Sequence, residues 1–286
     1  MSPDPFEQHR PALFSLAYRL LGTASDADDV VQEAHVRWLA KRDEVQVPKA
    51  WLERVVTNLC VDHLKSARVQ RETYVGPWLP EPVETSQATL RGEPVDLEAV
   101  SLGFLALLER LSPLERAVYV LVEAFDYAPD EVAQVLGREP AAVRQLLHRA
   151  REHVREGRPR FAPSPELHLA MLGTFFAAVQ SGDVKRVEAL LVSNAKAVTD
   201  GGGRAKAATN VVQGADRVAR FIIGVAQKAG PDVNFEVREV NGWPAVVGVQ
   251  GGVVISLSQL ETDGERVFSL SVVVNPDKLR HVTPSA

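Results

Sequence analysis

Apolar residues recur every three or four positions through the first seventy residues, and this period predicts a bundle of three amphipathic helices. Gly22 follows the first apolar stripe, at a position where glycine commonly ends a helix. Ser25 begins an S-D-A-D segment that resembles a capping box and predicts the start of the second helix, and Pro48 suits the first turn of the third. The residues expected to face the core are Phe6, Leu13, Phe14, Ala17, Leu20, Leu21, Ala27, Val30, Val31, Ala34, Trp38, Leu39, Leu52, Val55, Val56, Leu59 and Cys60.

A second group of helices is predicted further along the chain. The segment 112–115, S-P-L-E, is a capping box with proline in the first helical turn. The helix that it opens is followed by a short helix at 129–136, a break at Gly137 and a longer basic helix at about 140–156. A helix, a tight glycine-containing turn and a basic helix form the helix-turn-helix pattern.

The last part of the chain changes its hydrophobic period. Ser164-Pro165 opens a helix, and shorter helices are expected at 183–191 and 215–228. The buried face of the first of these helices is expected to hold Leu167, Ala170, Met171, Thr174, Phe175 and Ala178. Beyond Gly230 the period becomes two, which predicts strands, with Asp263-Gly264 as a hairpin turn. The strand-like runs are 233–240, 245–250, 253–261 and 266–274. Helices followed by a meandering antiparallel sheet predict a separate α+β domain.

Together these patterns predict a multidomain protein in which two all-α domains precede an α+β domain. The expected boundaries are 1–71 for the helical bundle, 72–98 for a linker, 99–160 for the helix-turn-helix and 161–286 for the α+β domain. The linker has four prolines, no apolar period and a net charge of −5.

Composition narrows the class of protein. The chain has 286 residues, of which 45% are hydrophobic and 24% charged, as in globular proteins rather than disordered or fibrous ones. No apolar run reaches the roughly 18–20 residues that span a bilayer, and the N-terminus lacks the apolar core of a secretory signal. One cysteine excludes an internal disulfide and suits a reducing compartment. We therefore expect a cytoplasmic protein with no membrane contact.

The distribution of charge indicates nucleic acid as a partner, although the net charge is −5. Residues 138–160 carry seven arginines against three glutamates, and residues 49–71 have a net charge of +3. Two basic patches separated by an acidic linker are typical of a site-specific nucleic-acid reader, although solvated helix faces remain an alternative. On the basic helix, the side chains expected to face outward and bind bases or phosphates are Arg144, Gln145, His148, Arg149 and Arg151.

Three segments, in this order, resemble a bacterial extracytoplasmic-function sigma factor: A-Y-R-L-L-G-T-A-S-D-A-D-D-V-V-Q-E-A at 17–34, W-L-E-R-V-V-T-N-L-C-V-D-H-L at 51–64 and L-S-P-L-E-R-A-V at 111–118. Such proteins have two helical domains, sigma-2 and sigma-4, joined by a flexible linker. Three further segments resemble signatures of group forty-one of this family, which carries a SnoaL-like extension. They are W-L-P-E-P at 78–82, D-G-G-G at 200–203 and N-P-D-K-L at 275–279.

The resemblance implies roles for individual residues. The partners would be promoter DNA and core RNA polymerase, through its β′ clamp and β flap, and the acidic linker would run toward the RNA exit path. Polymerase would be bound by Asp28, Asp29, Gln32 and Glu33. The −10 element would be opened and read by Arg54, Asn58, Asp62, Lys65 and Arg68, with the loop near Val47–Lys49. The −35 element would be read by the outward residues of the basic helix, although Glu139 departs from the small capping residue usual in the family.

The SnoaL-like extension implies a cone-shaped fold with an apolar pocket, which some relatives use for catalysis. Acid–base catalysis there would need a buried Asp/His pair, but His168 and His281 stand at opposite ends of this domain without evident partners. The glycines beside Asp200 match no phosphate-binding motif. His148 and His153 have a metal-like spacing without a completing ligand set. We therefore expect no enzyme activity, cofactor or metal.

The hypothesis is a promoter-specificity subunit, monomeric when free, that its own C-terminal domain regulates in cis. The residues expected to make the regulatory contacts, with the sigma-2/sigma-4 pair or with the linker, are Trp78, Leu79, Pro80, Glu81, Pro82, Asp200, Gly201, Gly202, Gly203, Asn275, Pro276, Asp277, Lys278 and Leu279. The alternatives are a helix-turn-helix repressor, a sensor that binds an unidentified small ligand in its C-terminal pocket, and a SnoaL-like enzyme with a helical adaptor.

Overall fold

The computed structural model describes residues 4–71, 73–85, 101–157 and 163–283 of the chain. They divide into two compact units. The N-terminal unit contains 4–73, residue 85 and 104–157 of the described residues. The C-terminal unit contains 74–84, 101–103 and 163–283. The segment 74–84, which the sequence predicted to be part of a linker, thus packs with the C-terminal unit.

The N-terminal unit begins with three helices: α1 (Pro5–Leu21), α2 (Ala24–Lys41) and α3 (Pro48–Arg71). Gly22 ends α1 with a φ of 72°, as predicted. Two details of the prediction are wrong. The residue that precedes α2 is Thr23 rather than Ser25, and the Thr23 hydroxyl donates to the Asp26 carboxylate. Leu39 is 51% exposed, because Trp38 fills the inward position at that end of α2.

Four more helices follow: α4 (Leu102–Leu108), α5 (Pro113–Phe125), α6 (Pro129–Leu136) and α7 (Pro140–Gly157). The predicted capping box opens α5, since the Ser112 hydroxyl accepts from the Glu115 amide at 3.3 Å and the Glu115 carboxylate accepts from the Ser112 amide at 3.0 Å. Gly137 ends α6 with a φ of 61°. The helix-turn-helix prediction is confirmed, including the start of α7 at Pro140.

The C-terminal unit packs helices on one face of a six-stranded sheet. The helices are α8 (Pro165–Ser181), α9 (Val184–Leu190) and α10 (Ala215–Ala226). The strands are β1 (Leu191–Asp200), β2 (Val212–Gln213), β3 (Val233–Val240), β4 (Trp243–Gln250), β5 (Val253–Thr262) and β6 (Val267–Val273), in the order β2-β1-β6-β5-β4-β3. The predicted α+β class is confirmed, and the core lies between the three helices and the sheet.

The prediction of a purely antiparallel meander is wrong, because β1 pairs in parallel with β6 in the middle of the sheet. Strand β1 was missed because Ser193, Asn194 and Lys196 interrupt its apolar pattern with residues of low strand preference. Partners on both sides, β2 and β6, supply the backbone hydrogen bonds that its local sequence does not predict.

The predicted buried face of α8 is also partly wrong. Leu167, Ala170 and Thr174 are exposed, whereas His168 and Leu172 are buried with Met171, Phe175 and Ala178. The inward stripe therefore begins at a histidine, which sequence analysis treats as polar. The imidazole of His168 packs against the ring of Trp243, at the start of β4, with ring centroids 4.8 Å apart and the ring planes tilted by 34°.

The turn between β3 and β4 carries a signal that the sequence analysis overlooked. Asn241 and Gly242 have φ values of 53° and 75°, as a two-residue hairpin with both central residues at positive φ requires. Asn-Gly is the dipeptide that most favours this turn. Asn241 is fully buried and its side chain accepts a hydrogen bond from the Val83 amide at 2.9 Å, so the turn also anchors the segment 74–84.

The buried imidazole of His168 should make the C-terminal unit sensitive to acid. Burial lowers the pKa of His168 from 6.5 to about 4, so the folded form excludes a proton that the unfolded chain binds. The contribution of the neutral His168 to the free energy of unfolding should therefore be complete above pH 6.5 and should decrease as the pH is lowered to 4. Between pH 7 and 4 the wild type should lose about 3 kcal/mol more than a His168→Leu variant, as measured by chemical unfolding at each pH. Parallel pH curves for the two proteins would contradict this.

Candidate nucleic-acid interface and the clamp of the C-terminal unit

An acidic stretch lies on the outer side of α2. Asp28, Asp29, Gln32 and Glu33 are all exposed, because Ala27, Val30, Val31 and Ala34 turn the opposite stripe of the helix into the core. Glu33 pairs with Arg37, one turn along the helix, at 2.9 Å. An exposed acidic face of this kind is available to a basic partner surface.

The polar face of α3 holds the residues predicted for the −10 element. Arg54, Asp62 and Lys65 are exposed, and the Lys65 ammonium lies 2.8 Å from the Asp62 carboxylate. Asn58 is half-buried: its amide nitrogen donates to the Arg54 carbonyl at 2.9 Å and to the Val135 carbonyl of α6 at 3.3 Å. The side chain of Arg68 lies outside the described residues.

A cleft of about 520 Å³ lies next to this face of α3. One side is formed by the loop before α3 and by the start of α3, and the other by Tyr127 and α6. The side chains that line it are Lys41, Glu44, Val45, Gln46, Val47, Ala50, Trp51, Arg54, Tyr127, Glu131, Gln134 and Val135. The hydroxyl of Tyr127 donates to the carboxylate of Glu53 on α3.

The outward side chains of α7 occupy one exposed face, as predicted. Arg144, Gln145, His148 and Arg149 lie together. Three arginines of this face pair with carboxylates of the same unit: Arg144 with Asp130 at 3.0 Å, Arg149 with Glu115 at 3.3 Å and Arg151 with Glu123 at 2.7 Å. Each arginine remains more than half exposed. Exposed ion pairs contribute little free energy, so Arg144 can exchange the exposed Asp130 carboxylate for a phosphate.

A second polar site lies in the C-terminal unit, where the carboxylate of Asp200 is completely buried. It accepts hydrogen bonds from the Tyr74 hydroxyl at 2.6 Å, the Leu79 amide at 2.7 Å and the Lys278 ammonium at 2.7 Å. The ammonium also donates to the Leu79 carbonyl and lies 4.1 Å from the centre of the Trp78 ring. The three signature segments at 78–82, 200–203 and 275–279 therefore meet around one buried ion pair, which we call the clamp.

The glycines after Asp200 are required by this packing. A β-carbon on Gly202 would lie 2.3 Å from the Asn275 amide nitrogen and 2.7 Å from the Tyr74 hydroxyl oxygen, and the φ of Gly202 is 55°. Tyr74 was not among the predicted site residues, although its hydroxyl bonds to both Asp200 and Asn275. The one sequence feature that could have pointed to Tyr74 was the position of an aromatic residue four places before the W-L-P-E-P segment.

The two histidines of this unit have different surroundings. The Nε2 atom of His168 is buried and makes no hydrogen bond within the described residues. His281 lies 3.8 Å from the Glu81 carboxylate and is partly exposed. Across the described part of the chain, no group of three or more potential metal ligands is present, and no helix is both long enough and apolar enough to cross a membrane.

Comparison with known proteins explains why two groups of helices and an α+β unit occur in one chain. The family model of sigma-70 region 2 matches residues 5–69, and that of sigma-70 region 4 matches residues 101–154. The ECF RNA polymerase sigma factor SigJ of Mycobacterium tuberculosis is 38% identical over 97% of this chain and 93% of its own. The chain belongs to the ECF RNA polymerase sigma factors.

Further relatives support the same assignment. The probable ECF sigma factor SigI of the same species is 31% identical and covers 95% of this chain and 92% of its own. The crystal structure of SigJ matches with a TM-score of 0.78 at 34% identity, over 96% of this chain and 97% of that one. The full-length match includes the C-terminal unit, so this sigma factor shares its three-part architecture with SigJ. We use sigma-2 for α1–α3 and sigma-4 for α4–α7.

Removing one member of the clamp should destabilise the C-terminal unit strongly. Lys278→Met leaves the buried Asp200 carboxylate without a cation, and such losses cost about 3–5 kcal/mol. Unfolding free energies and hydrogen exchange of residues 74–84 should both report this loss.

Arg204→Gln is the matched control, because the ion pair of Arg204 with Asp277 is exposed; it should change stability by less than about 1 kcal/mol. Equal effects of the two substitutions would show that the clamp contributes no more than a surface pair.

Proposed function

We propose that this sigma factor binds core RNA polymerase and directs it to promoters by reading −10 and −35 elements. One observation carries the proposal: this member of the family has two separate helix faces, each with side chains that can donate hydrogen bonds to DNA. The α3 face offers Arg54, Asn58 and Lys65, and the α7 face offers arginines more than half exposed. Amide and guanidinium groups are the side chains that read base edges in DNA.

In this proposal, the outer face of α2 contacts the β′ clamp of polymerase, and sigma-4 contacts the β flap. The acidic side chains at 28, 29 and 33 would meet basic groups of the partner, with Gln32 between them. The protein catalyses no reaction of its own, needs no cofactor and is monomeric when free.

The C-terminal unit regulates the sigma domains in cis through the segment that connects them. Support comes from the clamp, which holds residues 74–84 by a buried ion pair, and from the turn at Asn241, which bonds Val83 at the other end of that segment. A connecting segment held in this way is shorter than a free one, so it restricts the separation that sigma-2 and sigma-4 can adopt on polymerase. The proposal also includes the domain boundaries: sigma-2 ends at residue 71, the linker at 98 and sigma-4 at 160.

The arginines of α7 should act as phosphate or base contacts. Arg144→Ala should weaken promoter binding by the polymerase complex and reduce the slope of log affinity against log salt by about one unit if the contact is to phosphate. Arg186→Ala, on the exposed surface of α9, is the control and should leave the slope unchanged. If Arg144→Ala changes neither the slope nor the affinity, Arg144 does not contact DNA in the complex.

Run-off transcription with core polymerase tests the proposal as a whole. Three proteins are compared: the full chain, a truncation after residue 165 and a variant that lacks only the tail from Asn275, with promoters selected from random DNA in the same assay. We expect the full chain to initiate transcription only when core polymerase is present. We also expect the rate of initiation to change in either truncated protein. The tail deletion removes Lys278 and should resemble Lys278→Met.

Two outcomes would contradict the proposal. Binding of duplex DNA without polymerase, with no initiation by any of the three proteins, would indicate a helix-turn-helix repressor. Initiation that is identical for all three would leave a sigma factor without regulation in cis.

A further inference from the structure

Strand β5 places Gln259 and Glu261 on the face of the sheet that points away from the helices, because Leu260 between them belongs to the core on the other face. Residues 101–103, where the chain enters α4, lie against this face. We propose that Gln259 and Glu261 form a second docking site for the connecting segment, and that a proton on Glu261 keeps residues 101–103 docked there. Such a site deepens the regulation in cis of the proposed function and rests on that function.

Gln259 has hydrogen-bond partners at both ends of its amide group and is 3% exposed. Its nitrogen donates to the Val240 carbonyl at 2.9 Å, so its oxygen is directed at α4 and accepts from the Leu102 amide at 3.0 Å. Leu102 opens α4, and the first backbone N–H groups of a helix have no acceptor within it. Gln259 therefore supplies an acceptor that the start of α4 requires, and docking satisfies a buried polar side chain of the sheet.

Glu261 packs directly on the backbone of Gly103. A β-carbon built on Gly103 would overlap the Oε1 and Cδ atoms of the Glu261 carboxyl group. The carboxyl group thus takes the space that any larger residue at position 103 would need for its side chain. The glycine is required here by a close approach, and that approach removes the carboxyl group from water.

The surroundings of the Glu261 carboxyl group offer it little opposite charge. Neither α4 nor the strands β4 and β6 on either side of β5 contain a titratable side chain, and residues 101–103 contain none. The charged side chain that acts on Glu261 is Lys196 of β1. Ser269 of β6 pairs with both residues, so Lys196 lies two strands away, at roughly 10 Å, and its side chain is exposed.

A buried carboxyl group in such surroundings holds its proton more tightly. Burial raises the pKa of Glu261 from 4.5 to about 7, and Lys196 opposes this rise only in part. A carboxyl group released to water has its ordinary pKa, so between pH 4.5 and 7 the docked form carries a proton that the released form lacks. Docking is therefore favoured as the pH falls through 7 and weakened as it rises. Between pH 8 and pH 6 the docking equilibrium should change roughly tenfold.

The two docked parts of the connecting segment differ in the charge at their contacts. At residues 74–84, the clamp pairs Asp200 with Lys278 at 2.7 Å. At residues 101–103, the carboxyl group of Glu261 has no paired cation among the described residues. The second contact is therefore the one that loss of a single proton can release. Its release frees the start of α4 while the clamp still holds residues 74–84, so the connecting segment gains reach in one step.

Hydrogen exchange of the free full chain tests this site without polymerase. Leu102 is completely buried and its amide donates to Gln259, so exchange of that amide requires release. Rates are expressed as protection factors, which removes the intrinsic effect of pH on exchange. We expect the protection of Leu102 to be roughly tenfold higher at pH 6 than at pH 8 in the wild type. In Glu261→Gln, whose side chain is neutral throughout, it should be the same at both pH values.

Two substitutions release the contact by different means. Gly103→Ala places a methyl group on the Glu261 carboxyl group, and Gln259→Leu removes the acceptor for the Leu102 amide without adding bulk at position 103. Each should lower the protection of Leu102 at both pH values. Gly173→Ala is the matched control, because this helical glycine of α8 has nothing within 4 Å of an added β-carbon, and it should behave as the wild type does. Protection of the β6 amides shows in the same experiment that each variant is folded.

The acid sensitivity of His168 cannot imitate the expected result. Lower pH weakens the C-terminal unit through His168, which would reduce protection at pH 6, whereas the proton on Glu261 should increase it. Equal protection of Leu102 at pH 6 and pH 8 in the wild type would overturn the inference. An equal dependence on pH in Glu261→Gln and the wild type would overturn it as well, whatever run-off transcription shows.

Run-off transcription at pH 8 connects the docking site to function. Glu261→Gln should stay docked and initiate several-fold more slowly than the wild type, whereas Gly103→Ala should initiate at least as fast as the wild type. Equal rates for Glu261→Gln and Gly103→Ala would overturn the control of initiation by this site. Failure of every protein to initiate, with hydrogen exchange as expected, would instead overturn the proposed function and leave the docking site itself supported.

Discussion

The carboxylate of Asp200 is completely buried. Three hydrogen-bond donors from two distant parts of the chain surround it. A buried charge without such partners would be strongly destabilising, so the ion pair with Lys278 requires that the segment 74–84 and the tail at 275–279 be in place together. The close approach of Gly202 to Tyr74 and Asn275 follows from the same packing. The W-L-P-E-P, D-G-G-G and N-P-D-K-L segments are thus parts of one electrostatic and steric unit, and the path of the connecting segment depends on it.

The contacts within the sigma-2/sigma-4 pair have a different character. Tyr127 with Glu53, Asn58 with Val135 and Arg116 with the Arg19 carbonyl are polar bonds that link the two halves. An apolar interface of the same size would be harder to separate, because its exposure to water is unfavourable throughout, whereas polar groups are hydrated again. Each of these bonds joins groups that water can hydrate again when they are separated.

The basic face of α7 is built from arginines that already have partners within the same unit. The arginines of α7 pair with Asp130, Glu115 and Glu123. The pairs with Asp130 and Glu123 are exposed enough to be weakened by water and salt, whereas the side chain of Glu115 is only 11% exposed. The chain thus combines a net charge of −5 with a local basic face on α7.

The sequence by itself determined most of the helices, the helix-turn-helix and the strands β3 to β6, because caps, periods and turn residues are local signals that act within a few positions of the chain. The family followed from the resemblance of longer segments. Thus Gly22, the Ser112 capping box and Gly137 were located correctly, and even the missed Asn241-Gly242 turn was present as a dipeptide. Strand β1 and the buried His168 could not be predicted in this way, since pairing with β6 and packing on Trp243 supply what their own sequence lacks. The sequence also named Asp200 and Lys278 but not their pairing. Only the tertiary structure decided that these two charges, 78 residues apart, share one buried site with Tyr74, and that Asn58 bonds to α6, because electrostatic and hydrogen-bond partners are chosen by distance in space and not by position along the chain.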